Sequence, residues 1–325
     1  MIEQYKITIV IPIYNEELNI EGCIKGLQKQ SSQNFIAVFI DDGSTDNSVP
    51  ILKKLLDSPN ISFEHKLIQQ TNSGAAKARE AAINQATTEY IMILDCDDRI
   101  STDTIANYLQ TINDYAPDII LPKAKVQQDD ESYQDFHYFN EEKELDGFTC
   151  FINSLGGWGV HGWICARTSL FLKSYKKYKE YNPQNTNYIN NDEIIVRLNY
   201  FYANKVIKND AIYYYENNRA STTKRVNPNR YLMCNNAIIL CKIFQRQSKE
   251  ISRAIYKELI NTLFGIVKYA YRNNEGLPNM KDWLQTIAKA LDYIQQEKGS
   301  KFLSIKGKYR LYRSKAIYSK LMKSV

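Results

Sequence analysis

Clustered histidines and closely paired cysteines are both missing from this chain of 325 residues. The three histidines, His65, His137 and His161, are scattered, and none of the six cysteines forms a C-x-x-C pair. Zinc sites and disulfide frameworks are built from such pairs and clusters. The sequence therefore argues against both kinds of site and predicts reduced cysteine thiols.

Long apolar runs are missing as well. No run reaches the roughly 18 residues that a membrane-spanning helix requires, and residues 1–6 lack the charged-then-apolar pattern of a secretory leader. Apolar residues nevertheless make up 44% of the chain, which is typical of a globular protein. We therefore expect a globular, cytoplasmic protein.

Acidic residues are absent after Glu297, whereas nine basic residues follow it. One side of a helix in this tail would carry the apolar residues Ile305, Tyr309, Tyr312, Ala316 and Ile317. This pattern is typical of an interfacial helix on an anionic membrane surface, and a solvated basic helix fits it equally well. Elsewhere acids balance the bases, so no nucleic-acid partner is expected.

The first 122 residues alternate short apolar segments with helical patterns, as βαβ units of a mainly parallel sheet do. The predicted strands are 6–13, 35–40, 62–69, 90–94 and 118–122, and the predicted helices are 18–30, 49–57, 74–86 and 102–115. From residue 231 onward apolar residues recur at helical spacing. We predict an α/β, Rossmann-like sheet with flanking helices, divided into residues 1–122, 123–230 and a helical C-terminal region, 231–325.

Polar clusters follow the predicted strands at residues 12–15, 41–46, 71–74 and 95–98. The carboxyl ends of parallel strands share one edge of a sheet, so these clusters should lie together and bind a ligand there. The usual glycine-rich phosphate loops are absent, since neither G-x-x-x-x-G-K-[S/T] nor G-x-G-x-x-G follows the first strand. A bound nucleotide must be held in another way.

Three carboxylates, Asp95, Asp97 and Asp98, follow the apolar strand 90–94. Carboxylate oxygens at this spacing suit Mg²⁺ or Mn²⁺, which in turn suit a substrate phosphate. The alternative is a plain turn in which Asp98 or Ser101 caps the helix that begins near residue 102.

Four segments together resemble family 2 glycosyltransferases with the GT-A fold: IVIPIYNEE (9–17), DDGSTDNS (41–48), NSGAAKAR (72–79) and LDCDD (94–98). The resemblance implies that Pro12, Tyr14, Asp42 and Arg79 surround the base of a nucleotide-sugar, usually a UDP-sugar. It further implies that Asp95 contacts the ribose and that Asp97, assisted by Asp98, holds Mn²⁺ or Mg²⁺ at the diphosphate. The chain has Arg79-Glu80 where the family usually has Arg-Asn.

A later segment, NNDEIIVRL (190–198), resembles the family's Glu-Asp segment, whose Asp is the catalytic base. That Asp falls on Asp192, with Glu193 in reserve, and Asn191 replaces the family's Glu. Asp192 as a simple cap of the following helix is the alternative. The glycine- and tryptophan-rich residues 156–163 either offer aromatic platforms to sugars or form a hairpin with its tryptophans packed inward. Lys224 or Arg225 could reach the diphosphate.

The resemblance implies an inverting, metal-dependent transfer of a sugar from a UDP-sugar to a hydroxyl of a glycan or lipid-linked glycan. Capsule or lipopolysaccharide synthesis at the inner face of a bacterial plasma membrane would be the setting. Two alternatives remain open. One is a catalytically inactive nucleotide- or glycan-binding protein of the same fold, and the other is a sugar-1-phosphate nucleotidyltransferase, although such enzymes usually open with a glycine-rich segment.

Overall fold

The computed structural model describes residues 5–217, 226–245 and 247–323. Four strands and four helices alternate along its first part, as the sequence predicts. The strands are β1 (Ile7–Ile13), β2 (Phe35–Asp41), β3 (Glu64–Gln69) and β4 (Tyr90–Ile93). The helices are α1 (Ile20–Gln28), α2 (Ser48–Leu56), α3 (Ala75–Ile83) and α4 (Thr104–Tyr115).

Further strands and helices follow on the same chain. The strands are β5 (Arg99–Ile100), β6 (Ile119–Gln127), β7 (Tyr133–Asp135), β8 (Glu144–Asp146), β9 (Cys165–Arg167) and β10 (Lys205–Tyr215). The helices are α5 (Gly147–Asn153), α6 (Thr168–Lys179) and α7 (Asn191–Tyr202). The predicted fifth strand, 118–122, corresponds to β6, which continues five residues further.

The strands form one sheet in the order β3-β2-β1-β4-β9-β6-β10-β5, with β7 beside β6 and β8 beside β10. β1 to β4 are mutually parallel, and β6 is parallel to β10. The three-residue β9 lies antiparallel between β4 and β6. The predicted α/β sheet is therefore confirmed, although β6 does not pair with β4 directly.

β1 is buried on both faces, so other elements must cover both faces of the sheet there. α1 contributes an apolar stripe at helical spacing, consisting of Ile20, Cys23, Ile24 and Leu27. In the parallel register Ile13 lies opposite Asp41 and Val10 opposite Ile93. The segments that follow β1, β2 and β4 therefore leave the sheet at the same edge.

The C-terminal region is helical, as predicted. Its helices are α8 (Met233–Ile243), α9 (Lys249–Arg272), α10 (Met280–Gln296) and α11 (Ile305–Leu321). The Ser248 side chain caps α9 by accepting from the Ile251 N–H. Trp283 of α10 is buried, stacks on the Tyr269 ring with 5.7 Å between ring centroids, and donates to the Pro228 carbonyl.

The chain divides into two compact units. One consists of Met1–Phe151, Val160–Lys176 and Ile195–Asn218, and the other of Ile152–Gly159, Lys177–Ile194 and Arg219–Val325. The sheet unit continues beyond residue 122, because β6 to β10 complete the sheet that β1 to β4 begin. Residues 152–159 and 177–194 belong to the unit of the C-terminal helices.

All six cysteines are buried and free. Within the described ranges, no helix combines the length and the apolar character that crossing a bilayer would require.

Candidate active site

Asp95 and Asp98, in the acidic segment after β4, have different hydrogen-bond partners. Asp98 is 3% exposed and is held by β10, because one oxygen accepts from the Tyr213 hydroxyl at 2.7 Å and the other from the Glu216 N–H at 2.9 Å. Burial, reinforced by the charge of Asp95, raises the pKa of Asp98 to about 8. Asp98 therefore anchors the segment to the sheet.

The alternative in which Asp98 or Ser101 caps the following helix is wrong. α4 begins at Thr104 with Asp103 as its N-cap residue, and no side-chain hydrogen bond closes the cap. Asp98 points to β10 instead, and the Ser101 hydroxyl lies 3.0 Å from the Thr104 hydroxyl.

Asp95 and Arg79 are brought together. The Arg79 guanidinium, on α3, donates to an Asp95 carboxylate oxygen at 2.9 Å. The Arg79 side chain is 16% exposed and that of Asp95 is 37% exposed, so the pair lies at the border between protein and solvent. A partly buried guanidinium here can serve both the carboxylate and an anionic ligand, because its five donors lie in one plane.

Glu16 joins this acidic group, and sequence reasoning assigned it no role. Burial raises the pKa of Glu16, and the charges of Asp97, Asp95 and Asp46 raise it further. Its carboxylate also accepts from the Asn19 amide at 2.6 Å. The available signal was its position directly after the first strand, on the edge where the polar clusters were expected to meet.

The predicted three-carboxylate metal site is not assembled. Among residues 5–217, 226–245 and 247–323, no three His, Cys, Asp or Glu side chains are placed to hold a metal ion together. Asp95 is paired with Arg79, and Asp98 is engaged by β10. A site based on Asp97 with diphosphate oxygens still fits this donor set, because Mg²⁺ is usually held by one or two carboxylates plus substrate phosphates.

Asp42 organises the loop beside this edge. It is 3% exposed and accepts from the Gln70 amide at 2.7 Å and from the Ser73 and Gly74 N–H groups at 2.9 and 2.8 Å. These bonds hold the connection between β3 and α3 against the end of β2. The expected contact of Asp42 with a nucleotide base stays a prediction.

The loops after β1 and β2 are tied together next to Asp42. Gly43 adopts a φ of +74°, and a Cβ there would lie 2.7 Å from the Asn72 backbone nitrogen, so this position requires glycine. The Asn15 side chain accepts from the Thr45 N–H at 2.8 Å. Tyr14, which directly follows β1, is 49% exposed, and Pro12 is half-buried in the strand.

Trp163 supports the acidic segment from within the sheet unit. Its ring is stacked on Tyr213 with 5.3 Å between centroids and an angle of 16°. Tyr213 is the residue whose hydroxyl donates to Asp98. Of the two alternatives for residues 156–163, the hairpin is wrong, because these residues contain no strand.

His161 lies in the same aromatic group and is 2% exposed. Its Nε2 donates to the Pro122 carbonyl at 2.7 Å, and its ring is 5.2 Å from that of Trp163. Burial lowers the pKa of His161 to about 4. The imidazole is therefore neutral at pH 7.

The low pKa of His161 makes the free energy of unfolding depend on pH. The unfolded chain, with a histidine pKa of about 6.5, binds a proton more readily, so stability decreases as the pH falls from 6.5 towards 4. We expect this effect to lower the free energy of unfolding by about 2 kcal/mol between pH 7 and pH 5. Urea unfolding at both pH values should show a smaller pH dependence for His161→Gln than for the wild type. Equal pH dependence of the two proteins would contradict the prediction.

Asp192 and Glu193 belong to the other unit, where both are half-buried in the first turn of α7. α7 begins at Asn191, so Asp192 lies inside the helix and does not occupy the cap position. Acidic side chains in a first turn are favoured by the helix dipole. Lys224 and Arg225, which were considered for the diphosphate, lie outside the described residues.

The amino-acid sequence of this chain is similar to a family model and to known glycosyltransferases. Residues 8–179 match the family model "Glycosyl transferase family 2". Glycosyltransferase GlyG of Streptococcus pneumoniae is 27% identical over 220 residues, which are 66% of this chain and 72% of GlyG. The teichoic acid poly(glycerol phosphate) polymerase of Staphylococcus epidermidis is 32% identical over 150 residues, covering 44% of this chain but only 20% of the polymerase.

A solved structure shares the fold over almost the whole chain. Staphylococcus aureus TarS 1-349 in complex with UDP-GlcNAc has a TM-score of 0.70 and 20% sequence identity, covering 97% of this chain and 89% of that one. This likeness identifies the sheet and its helices as a GT-A fold. The family match covers more than half of the chain and includes the four segments at the sheet edge. The chain therefore belongs to glycosyltransferase family 2.

Proposed function

We propose that this protein transfers a sugar from a UDP-sugar to a hydroxyl of a glycan or lipid-linked glycan, with inversion at the anomeric carbon. The observation that carries the proposal is one edge of the sheet. Tyr14 follows β1 there, Asp95 and Asp97 follow the neighbouring parallel strand β4, and Arg79 of α3 is paired with Asp95. UDP-GlcNAc in the TarS complex supports a UDP-sugar donor.

The donor would be held by side chains of different character. The exposed Tyr14 ring suits stacking against the base, with Pro12 as the neighbouring apolar surface. Arg79 is oriented by Asp95, and Asp95 retains acceptor capacity for ribose hydroxyls. Asp42 would contribute an acceptor to the base while keeping the 70–74 loop in place.

Asp97 is the proposed protein ligand of Mn²⁺ or Mg²⁺. When bound, such an ion would neutralise charge on the diphosphate leaving group. Asp95 stays with Arg79, and Asp98 positions the segment, so their predicted roles as direct ligands are not part of this proposal. Glu16 adds negative charge near Asp97, which favours a cation at this edge.

Asp192 is the proposed catalytic base, with Glu193 as the alternative. A carboxylate that takes the proton from the attacking acceptor hydroxyl allows a single direct displacement at the anomeric carbon. Such a displacement inverts the configuration there. Asp192 is half-buried, so part of the residue remains accessible from solvent.

The acceptor is proposed to be a bacterial surface glycan. The teichoic acid polymerase and TarS, whose name describes a poly(ribitol-phosphate) β-N-acetylglucosaminyltransferase, support this class. The match to this chain spans about a fifth of the length of the polymerase and of TarS. For this chain we propose the transfer of a hexose or an N-acetylhexosamine in capsule, lipopolysaccharide or related polysaccharide synthesis.

Nucleotide-sugar screening tests the function directly. A ligand present at 100 times its Kd raises the free energy of unfolding by about 2.7 kcal/mol, so thermal shifts with several UDP-sugars and Mn²⁺ should identify the donor. UDP release in the presence of a glycan acceptor should follow. Thermal stabilisation without UDP release on any acceptor would favour the inactive binding protein, and pyrophosphate release from UTP and a sugar-1-phosphate would favour the nucleotidyltransferase.

We also propose that α11 contacts an anionic membrane surface, at the inner face of the plasma membrane. Ile305, Tyr309 and Tyr312 are 89%, 57% and 69% exposed on a helix rich in Lys and Arg. A groove of about 330 Å³ beside α9 is lined by four cationic side chains and no acidic one: Lys268, Arg272, Arg313 and Lys320. Interfacial helices combine exposed aromatic residues with such cations.

Replacing Ile305, Tyr309 and Tyr312 by serine should reduce binding to vesicles that contain anionic lipid by at least about tenfold, because apolar insertion adds to electrostatic attraction. Substitution is preferable to deletion of residues 298–325, since Leu303 and Leu321 are buried. Vesicle co-sedimentation measures the effect, and Leu18→Ser, at another residue with 89% exposure, is the control. Unchanged binding of the triple variant would refute the membrane proposal.

A further inference from the structure

The segment that leads into α7 has an unfavourable backbone. Asn185 and Ile189 have φ values of +42° and +77°. A positive φ is a pronounced outlier for a β-branched residue such as isoleucine. Conformations of this kind persist only where the surrounding structure enforces them, and they cluster at functional sites. Asp192 follows Ile189 by three residues, so the groups that enforce this conformation act close to the proposed base.

Buried asparagines surround the segment. Five of them are at most 7% exposed: Asn182, Asn185, Asn190, Asn191 and Asn236. All lie in the unit of the C-terminal helices, as does Tyr178, whose hydroxyl joins two of them. A buried amide is costly unless its donors and acceptor are all used, so such a group must be examined bond by bond.

Asn191 uses its whole side chain. Its Nδ2 donates to the Asn185 Oδ1 at 3.1 Å and to the Thr186 carbonyl at 2.9 Å. Its Oδ1 accepts from the Tyr188 N–H at 2.9 Å and from the Asn236 Nδ2 at 3.1 Å. A carboxylate at this position would lose both donors and would set an oxygen against two acceptors. The asparagine that replaces the family's Glu is therefore what this backbone requires.

Asn236, on α8, completes the network. Its Nδ2 donates to Oδ1 of both Asn190 and Asn191, at 2.8 and 3.1 Å. Its Oδ1 accepts from the Tyr178 hydroxyl at 2.6 Å, and that hydroxyl accepts from the Asn182 Nδ2 at 2.9 Å. Asn236 of α8 is therefore hydrogen-bonded to both residues that immediately precede Asp192.

We propose that Asn236 and Asn191 are positioning residues that fix the orientation of Asp192. The proposal rests on Asp192 acting as the base in the proposed function. Asn190 would orient the alternative base, Glu193, in the same way, since its Nδ2 donates to the Glu193 carboxylate at 3.3 Å. The network holds the first turn of α7 in one conformation, and it explains why an amide, not an acid, precedes the base.

Asn236→Asp tests the proposal with little change in shape. The new carboxyl can still accept from Tyr178 but faces two Oδ1 acceptors with oxygen. We expect kcat for UDP release to fall about 10²-fold, because displacement of a catalytic group by about 1 Å has an effect of this size. KM for the UDP-sugar should change less than twofold, since the donor-binding residues are unaltered.

Asn199→Asp is the matched control. Asn199 is 0% exposed on the same helix, α7, and its Oδ1 accepts from the Ser174 hydroxyl at 2.7 Å. It should lose stability in urea unfolding while keeping kcat within about twofold of wild type. Tyr178→Phe, which removes a single hydroxyl, is the second variant if Asn236→Asp fails to fold, and a kcat decrease of three- to tenfold is expected.

Asp192→Asn, measured in parallel, separates the two proposals. If it abolishes turnover while folded Asn236→Asp and Tyr178→Phe keep wild-type kcat, the positioning role is refuted and the proposed function stands. An active Asp192→Asn variant would refute Asp192 as the base and, with it, the role of Asn236 and Asn191 in positioning Asp192. Equal losses of kcat in Asn236→Asp and Asn199→Asp would attribute the effect to general destabilisation and overturn the proposal.

Discussion

Asp192→Asn is expected to lower kcat for sugar transfer by about 10²–10⁴-fold, the usual contribution of a general base. The amide is nearly the same size as the carboxylate but cannot accept the proton of the acceptor hydroxyl. Affinity for UDP should stay within about threefold of wild type, because the nucleotide would be bound by residues of the sheet edge. Steady-state UDP release and calorimetric titration with UDP measure the two quantities.

Glu193→Gln is the comparison for this variant. Both acids lie in the first turn of α7 and both are half-buried, so the two substitutions make the same change of charge one residue apart. We expect Glu193→Gln to retain kcat within about tenfold. A large loss in Glu193→Gln with normal turnover in Asp192→Asn would transfer the role of base to Glu193.

Asp97→Asn is expected to reduce UDP release in the presence of Mn²⁺ by about 10²-fold or more. Stabilisation of transition-state charge at a metal site amounts to several kcal/mol, and each 1.36 kcal/mol corresponds to about a factor of ten in rate. Removal of the Asp97 charge should also weaken UDP binding with Mn²⁺ more than UDP binding with EDTA. Titration calorimetry under both conditions tests this difference.

Asp103→Asn is the control for Asp97→Asn. Asp103 is exposed at the start of α4, six residues further along, and accepts from the Asn107 amide at 2.9 Å. The substitution makes the same charge change at a residue outside the acidic group. Wild-type turnover of Asp97→Asn with Mn²⁺, or an equal loss in Asp103→Asn, would rule out the proposed role of Asp97.

Local patterns were sufficient to predict the first half of the sheet. The predicted strand 6–13 is β1, Ile7–Ile13, and the predicted helix 102–115 is α4, Thr104–Tyr115. Such elements carry their own periodicity and turn residues, so they can be recognised without knowledge of the fold. β9 could not be recognised in this way, because three residues contain no period, and its place between β4 and β6 depends on residues far away in sequence.

The acidic segment shows the same division between local and distant information. The family resemblance assigned Asp95 to the ribose and Asp97, with Asp98, to the metal, but no pattern within these five residues shows which protein groups contact each carboxylate. Asp98 is separated from the others by Tyr213 and Glu216, more than a hundred residues later in the chain. Asp95 is set apart by Arg79 on a different helix.

The sequence by itself determined the family, the order of the βα units and the edge of the sheet at which the polar segments meet, because these follow from local periodicity and from short motifs in a fixed order. Only the tertiary structure decided the partners of the individual carboxylates. It buried Asp98 against β10, paired Asp95 with Arg79, brought Glu16 to Asp97 and placed Asn236 against Asn191. Burial and hydrogen bonding depend on partners that are distant along the chain, and no local pattern records them.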